Sequence, residues 1–294
     1  MDIKQLLIQI DNLKEELLTA PPLNDCELGK MREHFSINYT YNSNAIEGNS
    51  LTLRETALVV LEGMTIDQKP LKDHFEAVGH KEAFDYIIDI SKKNMLLSER
   101  IIKEIHSLVM MAEPKVGGKY RESSVEVLGA LDTPPEAVKI PSEMEQWLSD
   151  YISDARHPII KAADYHIKFE RIHPFADGNG RTGRLILNLE LIKAGYSPVN
   201  VKFKDRQMYI ECFDDYHLSG NSDKFAKMVA EYELEELEFI RNLMAEKKAT
   251  QEFYKKENID NSSIECTFVA GKPRFTTPDD DKQISPGQQK PKEE

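Results

Sequence analysis

The residues of this chain whose types and spacing could do chemistry are concentrated in one short segment, HPFADGNGRTGR, which covers residues 173–184. His173 can exchange a proton near neutral pH, and Asp177 offers the carboxylate oxygens that Mg²⁺ prefers. Glycines let the main chain approach a phosphate closely, and arginine presents a planar fork of donors to it. This combination predicts nucleotidyl or phosphoryl transfer, with His173 as the base and Asp177 as the ligand of Mg²⁺.

The segment that follows, RLILNLELIKAG, is apolar on three sides and predicts a buried helix over residues 181–194. The DGNG loop then lies at the positive end of that helix, where free N–H groups and the dipole bind anions. Arg181 and Arg184 are expected in the first turn, where a cation is unfavourable unless an anion lies between them. A plain turn is the alternative for DGNG alone, but it does not explain two arginines at the start of a buried helix.

Composition limits the class of protein. The chain has 294 residues, 40% of them hydrophobic and 30% charged, and a formal net charge of −13. The negative charge argues against a nucleic-acid binder, and no apolar run approaches the roughly 20 residues that span a bilayer. Three scattered cysteines, Cys26, Cys212 and Cys266, form neither a disulfide framework nor a metal site, and the N-terminus is not a signal peptide. We therefore expect a cytoplasmic protein with no membrane or nucleic-acid partner.

The elements that must position the segment are mostly helical in pattern. Helices are predicted over about 3–17, 28–47, 52–63, 71–90, 99–111, 142–154, 158–172, 181–194, 205–217 and 222–247. Between 114 and 141, paired glycines, paired prolines and the alternation of Val125 and Val127 predict a hairpin or flap. A second small hairpin is predicted from Ile264 to Phe275, followed by a disordered tail. The predicted fold class is all-α with a small β-hairpin.

The segment resembles the signature of the Fic family, His-x-Phe-x-(Asp/Glu)-Gly-Asn-Gly-Arg-x-x-Arg, at every specified position. The similarity extends to GGKYR, to VEVLG with two prolines after it, and to AGYSP, and it covers roughly residues 30 to 240. The resemblance implies an all-helical Fic core with a small hairpin flap. It also implies transfer of AMP from ATP to a Ser, Thr or Tyr hydroxyl of a target protein, with self-modification as one case.

The resemblance also implies a role for each matching residue. His173 is the general base, Asp177 holds Mg²⁺ between the α- and β-phosphates, and Phe175 anchors the loop in the core. The nucleotide-binding residues are Gly178, Asn179, Gly180, Arg181, Thr182, Gly183, Arg184, Tyr209 and His217. The flap residues Val125, Glu126, Val127 and Leu128 clamp the target segment by strand pairing. Gly180 stands where the Doc toxins have lysine, so the chain resembles the AMP-transferring branch; an unusual donor, as in phosphocholine transfer, is left open.

A second pattern, SNAIEG over residues 43–48, resembles the (Ser/Thr)-x-x-x-Glu-(Gly/Asn) motif of Fic proteins whose N-terminal helix blocks their own active site. Ser43 and Glu47 are four residues apart and share a helix face. A carboxylate in the last helical turn opposes the dipole and favours a cation partner. We predict that Glu47 pairs with Arg184 and that this pair is inhibitory; removal of AMP with the help of Glu47 is a secondary hypothesis.

The domains expected are an N-terminal helix over 1–28, an inhibitory-helix segment packed on the core over 29–63, a Fic catalytic core over 64–245 and a C-terminal extension over 246–294. Two other classes of function are weighed. One is a nucleotide-binding regulatory module without transfer, which has no need of His173. The other is a regulator bound to nucleic acid, for which 240–294 is too short and too balanced in charge. The segment 234–248 favours a helix that covers the core or forms a homodimer surface.

Overall fold

The structure is a computed structural model, and it describes residues 1–93, 95–126, 131, 133–256, 265–269 and 272–276. Helices dominate these residues, as the sequence predicts. They are α1 Ile3–Thr19, α2 Asp25–Ile46, α3 Leu53–Glu62, α4 Leu71–Lys92, α5 Glu99–Val109, α6 Ile140–Ser153, α7 Pro158–Ile172, α8 Asn179–Lys193, α9 Arg206–Ser219 and α10 Asp223–Lys256, with 3₁₀ turns at Ala137–Lys139 and Phe203–Asp205.

Local capping explains why the helix ends agree with the sequence pattern. Thr52 and Glu55 form a complete capping box at the start of α3, which ends at Gly63 in the left-handed region with φ 64°. The Ser98 side chain accepts a hydrogen bond from the Ile101 N–H and begins α5. Pro158, whose ring pre-sets φ, is the first residue of α7.

The helix that carries the glycine motif begins two residues earlier than predicted. Gly178, with φ 77°, precedes α8, so Asn179 and Gly180 already have helical geometry. Arg181 therefore lies in the first turn of α8, as predicted, but Arg184 lies in the second turn. The expectation that both arginines share the first turn is wrong, because the left-handed glycine ends the loop at residue 178.

The hairpin predicted between 114 and 141 is not found in the part of that segment that the structure describes. Val125 and Glu126 have no regular secondary structure, and Val127 and Leu128 lie outside the described residues. Two alternating valines are too short a pattern to specify a strand unless a neighbouring strand pairs with them. The second hairpin is confirmed: strands β1 Glu265–Val269 and β2 Lys272–Thr276 pair antiparallel, with Thr267 opposite Arg274.

The chain folds into two compact units, one of residues 1–15 with 36–237 and one of residues 16–35 with the described residues from 238 onward. In the first unit, α8 packs against α4, α5 and α7 and is buried along nearly its whole length. The core around it is filled by large apolar side chains such as Phe84, Ile102, Phe169, Phe175, Leu185 and Phe225. Burial of this many apolar groups fixes α8, and with it the motif, at the centre of the unit.

The second unit has its own small core. Leu23 and Leu243 are buried together, with Phe239 packed against them. The Glu27 side chain, 2% exposed, accepts a charged hydrogen bond of 2.7 Å from Lys247 Nζ. No helix in the described residues combines the length and apolar character that a bilayer span requires.

Candidate active site

The predicted chemical residues meet at a cavity of about 490 Å³ in the first unit. Its lining comes from the end of α7 with the loop that follows it, from the start of α8, from α9 and from the turn after α2. Leu131 and Pro134 also line it. The lining includes Glu47, His173, Asp177, Gly180, Arg184 and Tyr209. The tertiary structure thus brings residues from four parts of the chain to one space.

His173 caps α7 in the left-handed region, with φ 49° and ψ 59°. This conformation is costly for a non-glycine residue and is concentrated at functional sites. Its Nδ1 lies 3.3 Å from the carbonyl oxygen of Glu170, which can only accept, so Nδ1 carries the proton. Burial lowers the pKa of His173, so the ring is neutral at pH 7 and its Nε2 lone pair is available.

Arg121 holds the main chain around His173. Its side chain is buried, and Nε donates to the carbonyl of His173 at 2.8 Å. Its Nη1 donates to Ser123 O at 3.0 Å and its Nη2 donates to Pro135 O. The Arg121 N–H also donates to Pro174 O at 3.0 Å. One guanidinium therefore connects the loop after α7 to the main chain on either side of Val125–Leu128, the predicted flap.

The loop between His173 and α8 is shaped by buried contacts. The Phe175 ring is 0% exposed and stacks on the ring of His106, with centroids 3.6 Å apart. The Asn179 side chain makes two hydrogen bonds of 2.9 Å to the main chain of Phe175. His106 Nε2 donates to Asp177 O at 2.9 Å and its Nδ1 accepts from Gly118 N, while burial lowers its pKa to about 4. The neutral ring of His106 thus joins the loop to α5.

The start of α8 has the features of an anion site. No side chain caps the helix, so the N–H groups of its first turn have no capping partner. A Cβ built on Gly180 would lie 2.2 Å from Glu47 Oε1 and 3.0 Å from Arg184 Nη1. Only a glycine at position 180 leaves room for this contact, and the group in contact is the carboxylate of Glu47.

Glu47 lies in the turn directly after α2 and makes an ion pair with Arg184. Its Oε1 is 2.7 Å from Arg184 Nη2. Ser43 holds the same edge of the guanidinium: Arg184 Nε donates to Ser43 Oγ at 3.0 Å, and Nη2 also donates to Ser43 O at 2.9 Å. The Arg184 side chain is 3% exposed and that of Glu47 is 38% exposed. The cation is thus embedded in the protein, and the carboxylate approaches it from the cavity.

Burial favours the neutral forms of the titratable groups around Arg184 other than Glu47. Tyr209 OH lies 3.4 Å from Arg184 Nη1 and 2.7 Å from His166 Nε2. Burial lowers the pKa of His166 to about 3 and raises that of Tyr209. Burial and the nearby Glu47 carboxylate raise the pKa of Glu170 to about 8. An anion in the cavity is therefore what compensates the charge of Arg184.

Asp177 and Arg181 lie at the start of α8, on the side facing α4. Asp177 is half-exposed, its Oδ1 accepts from Gly178 N at 2.6 Å, and Arg181 Nη2 is 3.5 Å away. Arg181 Nη1 is 3.0 Å from Glu76 Oε1, and Lys72 Nζ is 3.8 Å from Asp177 Oδ2. Among the described residues, no three His, Cys, Asp or Glu side chains are grouped to hold a metal ion. A half-exposed single carboxylate fits Mg²⁺ that takes its other ligands from phosphate and water.

The remaining predicted nucleotide-binding residues fall into two groups, those that line the cavity and those that do not. Gly178 and Asn179 line the cavity, and so does His217, on the exposed side of α9. Arg181, Thr182 and Gly183 do not line it: Thr182 is 0% exposed, and a Cβ on Gly183 would lie 2.6 Å from Glu170 Oε1. These two positions allow α8 to pack against the rest of the core.

Sequence reasoning assigned no role to several residues that shape the site: Glu76, His106, Arg121, Glu170 and Arg206. Arg121 had a signal, because it belongs to the GGKYR segment that shares the family resemblance. The others are ordinary polar residues on helices, and only their tertiary contacts distinguish them.

Comparison with known proteins agrees with this geometry. The family model described as "Fic: Fic/DOC family" matches residues 96–191, so this chain carries a Fic domain of the Fic/DOC family. It is 34% identical over 231 residues to the protein adenylyltransferase Fic of Nematostella vectensis, covering 77% of this chain and 53% of that protein. It is 33% identical to the protein of the same name from Culex quinquefasciatus, covering 74% of this chain and 44% of that one. The chain thus spans about half the length of the curated relatives it matches.

Solved structures share the fold. A Fic domain containing signaling protein from Bacteroides thetaiotaomicron superposes with a TM-score of 0.72 at 25% identity, covering 81% of this chain and 95% of that one. Fic-1 from C. elegans superposes with a TM-score of 0.70 at 28% identity, covering 80% and 70%. The all-helical prediction for the core is confirmed.

Proposed function

We propose that this chain is a protein adenylyltransferase, which moves AMP from ATP to a hydroxyl of a target protein. The observation that carries the proposal is that a neutral His173 and the uncapped start of α8 with Arg184 line one cavity. A base and an anion site that line one cavity suit attack of a hydroxyl on a bound phosphate. The relatives named protein adenylyltransferase Fic support the same reaction.

In the proposed step, His173 Nε2 takes the proton from the target hydroxyl as that oxygen attacks the α-phosphorus of ATP. The new bond joins the hydroxyl oxygen to phosphorus, and the bond from the α-phosphorus to the bridging oxygen breaks. Pyrophosphate leaves with that electron pair, and the target keeps AMP. The Nδ1 contact with Glu170 O supports this role because it fixes the tautomer whose Nε2 is free to accept.

The phosphates are expected at the start of α8, where Gly180 permits close approach and Arg184 supplies a fixed cation. Asp177 would hold Mg²⁺, which when bound neutralises phosphate charge. Target recognition through the flap, from Val125 to Leu128, stays a prediction. Self-modification is one form of the same reaction.

We further propose that Glu47 restrains transfer. Its carboxylate is placed over Gly180 and on Arg184, at the positions where a phosphate anion would bind. The pair must open before the phosphates can use Arg184. Since Glu47 also lines the cavity that holds His173, it is placed to orient a water molecule for removal of AMP, the reverse activity that we propose as secondary.

The test is a transfer assay with α-labelled ATP and Mg²⁺ on lysate and on the chain itself. Glu47→Gly should raise labelling about tenfold or more, because the carboxylate that competes with phosphate for Arg184 is removed. His173→Ala in that background should reduce labelling by about 10²–10⁴-fold. Glu62→Gly is the matched control, since Glu62 is also an exposed helix-end glutamate followed by glycine, outside the cavity.

Equal labelling by the unaltered and Glu47→Gly chains would reject the restraint. Calorimetric binding of ATP without any labelling would instead favour a nucleotide-binding regulatory module. Incubation of a labelled target with the unaltered chain tests the reverse activity, which release of no AMP would contradict.

A further inference from the structure

Arg181 lies within ion-pair distance of two carboxylates of the protein. Its side chain is 3% exposed, and it contributes a charge to the positive end of α8, where a lone cation is unfavourable. Its Nη1 is 3.0 Å from Glu76 Oε1 and its Nη2 is 3.5 Å from Asp177 Oδ1. Because Arg181 does not line the cavity, these carboxylates compensate its charge from within the protein.

The second carboxylate oxygen of Glu76 binds a residue close to Glu47. Glu76 Oε2 accepts from Asn49 Nδ2 at 3.0 Å, and the same Asn49 nitrogen donates to Asp73 O at 3.0 Å. Asn49 follows Glu47 by two residues, and its N–H donates to Asn44 O at 3.1 Å. One carboxylate on α4 therefore touches both the glycine motif and the turn that carries Glu47.

The two carboxylates that pair with the motif arginines differ in how readily they can leave. The Glu47 side chain is 38% exposed and lies in a turn, whereas the Glu76 side chain is 10% exposed and lies within the first two turns of α4. Arg181 and Arg184 are equally buried, but only Arg184 and its partner Glu47 line the cavity. An anion in the cavity can therefore displace Glu47 from Arg184, whereas it has no such access to Arg181.

We propose that Glu76 is a positioning residue of the nucleotide site, with one oxygen fixing Arg181 and through it Asp177, and the other fixing the turn that carries Glu47. The inference rests on the proposed function and deepens it. Arg181 then orients Asp177 and does not itself bind the phosphate tail, which is left to Arg184. The two arginines of the motif therefore have different roles: Arg181 orients Asp177, and Arg184 binds phosphate.

Two variants separate the two contacts. Glu76→Gln keeps an oxygen for Asn49 but loses the charge that pairs with Arg181. Asn49→Ala keeps the Glu76–Arg181 pair but releases the turn. Each is made in the unaltered chain and in Glu47→Gly, and Glu82→Gln, the same change at an exposed position of α4, is the matched control.

The readout is the affinity for a non-hydrolysable ATP analogue, measured by calorimetry with and without Mg²⁺, together with hydrogen exchange of residues 44–50. In the Glu47→Gly background, Glu76→Gln should weaken Mg²⁺-dependent binding about tenfold, and Asn49→Ala should leave it unchanged. In the unaltered chain, Asn49→Ala should raise exchange in 44–50 and tighten binding, because Glu47 is held less firmly.

The inference would be overturned if Glu47→Gly bound the ATP analogue with the same affinity and the same Mg²⁺ dependence whether or not it also carried Glu76→Gln. The proposed function would then remain intact. Absence of analogue binding to Glu47→Gly itself would overturn both. Thermal melting checks that each variant is folded. If Glu76→Gln does not fold, Glu76→Asp, which keeps the charge and shortens the side chain, must still weaken binding; unaltered binding by that variant overturns the inference.

Discussion

His173 shows how its surroundings suit a single residue to the proton transfer that we propose. Its left-handed backbone is held by the Arg121 hydrogen bond to its carbonyl, and its ring tautomer is set by the carbonyl of Glu170. Burial lowers its pKa, and nearby Arg121 acts in the same direction, while Glu47 raises it. The base form is therefore populated at neutral pH before any substrate is present.

The pH profile of transfer should reflect this environment. A histidine whose pKa is lowered stays unprotonated to a lower pH, so the acid limb of kcat/KM of Glu47→Gly should be centred below pH 6.5, the ordinary pKa of histidine. Loss of the Glu47 charge shifts the pKa of His173 further in that direction. A profile of kcat/KM from pH 5 to 8, measured at target concentrations well below KM, checks this, and an acid limb centred above pH 6.5 would contradict it.

At the scale of elements, the site depends on how closely α4 and α5 approach α8. Helix α4 supplies Glu76 and α5 supplies His106, so their packing places both side chains. The close approach of α4 to the end of α5 is made at a glycine: a Cβ on Gly79 would lie 2.3 Å from Leu108 O and 2.8 Å from Met111 Cβ. A backbone atom cannot move aside as a flexible side chain can.

Gly79→Ala should therefore lower the free energy of unfolding by about 1–3 kcal/mol, because the two helices must separate to admit the methyl group. Gly29→Ala is the matched control within α2, since a Cβ there meets nothing within 4 Å. It should stabilise by about 0.5–1 kcal/mol through helix propensity alone. Urea unfolding of both variants provides the comparison, and equal effects at the two glycines would refute the packing argument.

At the scale of the whole molecule, buried acids influence stability beyond the site. Glu233 on α10 is 0% exposed, its Oε1 accepts from Ser197 N at 2.9 Å, and burial raises its pKa to about 8. Its folded-state pKa lies above the unfolded value, so its contribution to stability is complete below the unfolded pKa. That contribution is lost as pH rises through about 8.

Stability should thus decrease between pH 6.5 and 8.5, and Glu233→Gln should flatten this decrease by up to about 1.4 kcal/mol per pH unit. Two buried histidines, His106 and His166, have pKa values lowered to about 4 and 3, and they make stability rise with pH. This opposite effect ends at about pH 6.5, the pKa of unfolded histidine, so the measurement starts there. Thermal melting at several pH values measures how stability changes with pH in the unaltered chain and in Glu233→Gln. The same slope in both chains would show that Glu233 is ionised in the folded protein and would contradict the prediction.

The sequence by itself determined the helices and the motif. Caps such as Thr52 with Glu55, and the apolar periodicity of α7 and α8, act over a few residues and can be recognised locally. The fixed spacing of HPFADGNGRTGR is also local, because one loop and one helix start carry it. The ion pair between Glu47 and Arg184 was within reach because the sequence predicts Glu47 at the end of one helix and Arg184 at the start of another, where each charge opposes the helix dipole.

Only the tertiary structure decided which partner each polar group takes. Nothing near Glu76 in the sequence distinguishes it from other glutamates of α4, yet its two oxygens contact Arg181 and Asn49. Arg121 and His106 likewise gain their roles from chain segments brought together by burial of the core. Such contacts depend on how helices pack, and packing is set by the sum of many apolar contacts that no short segment contains.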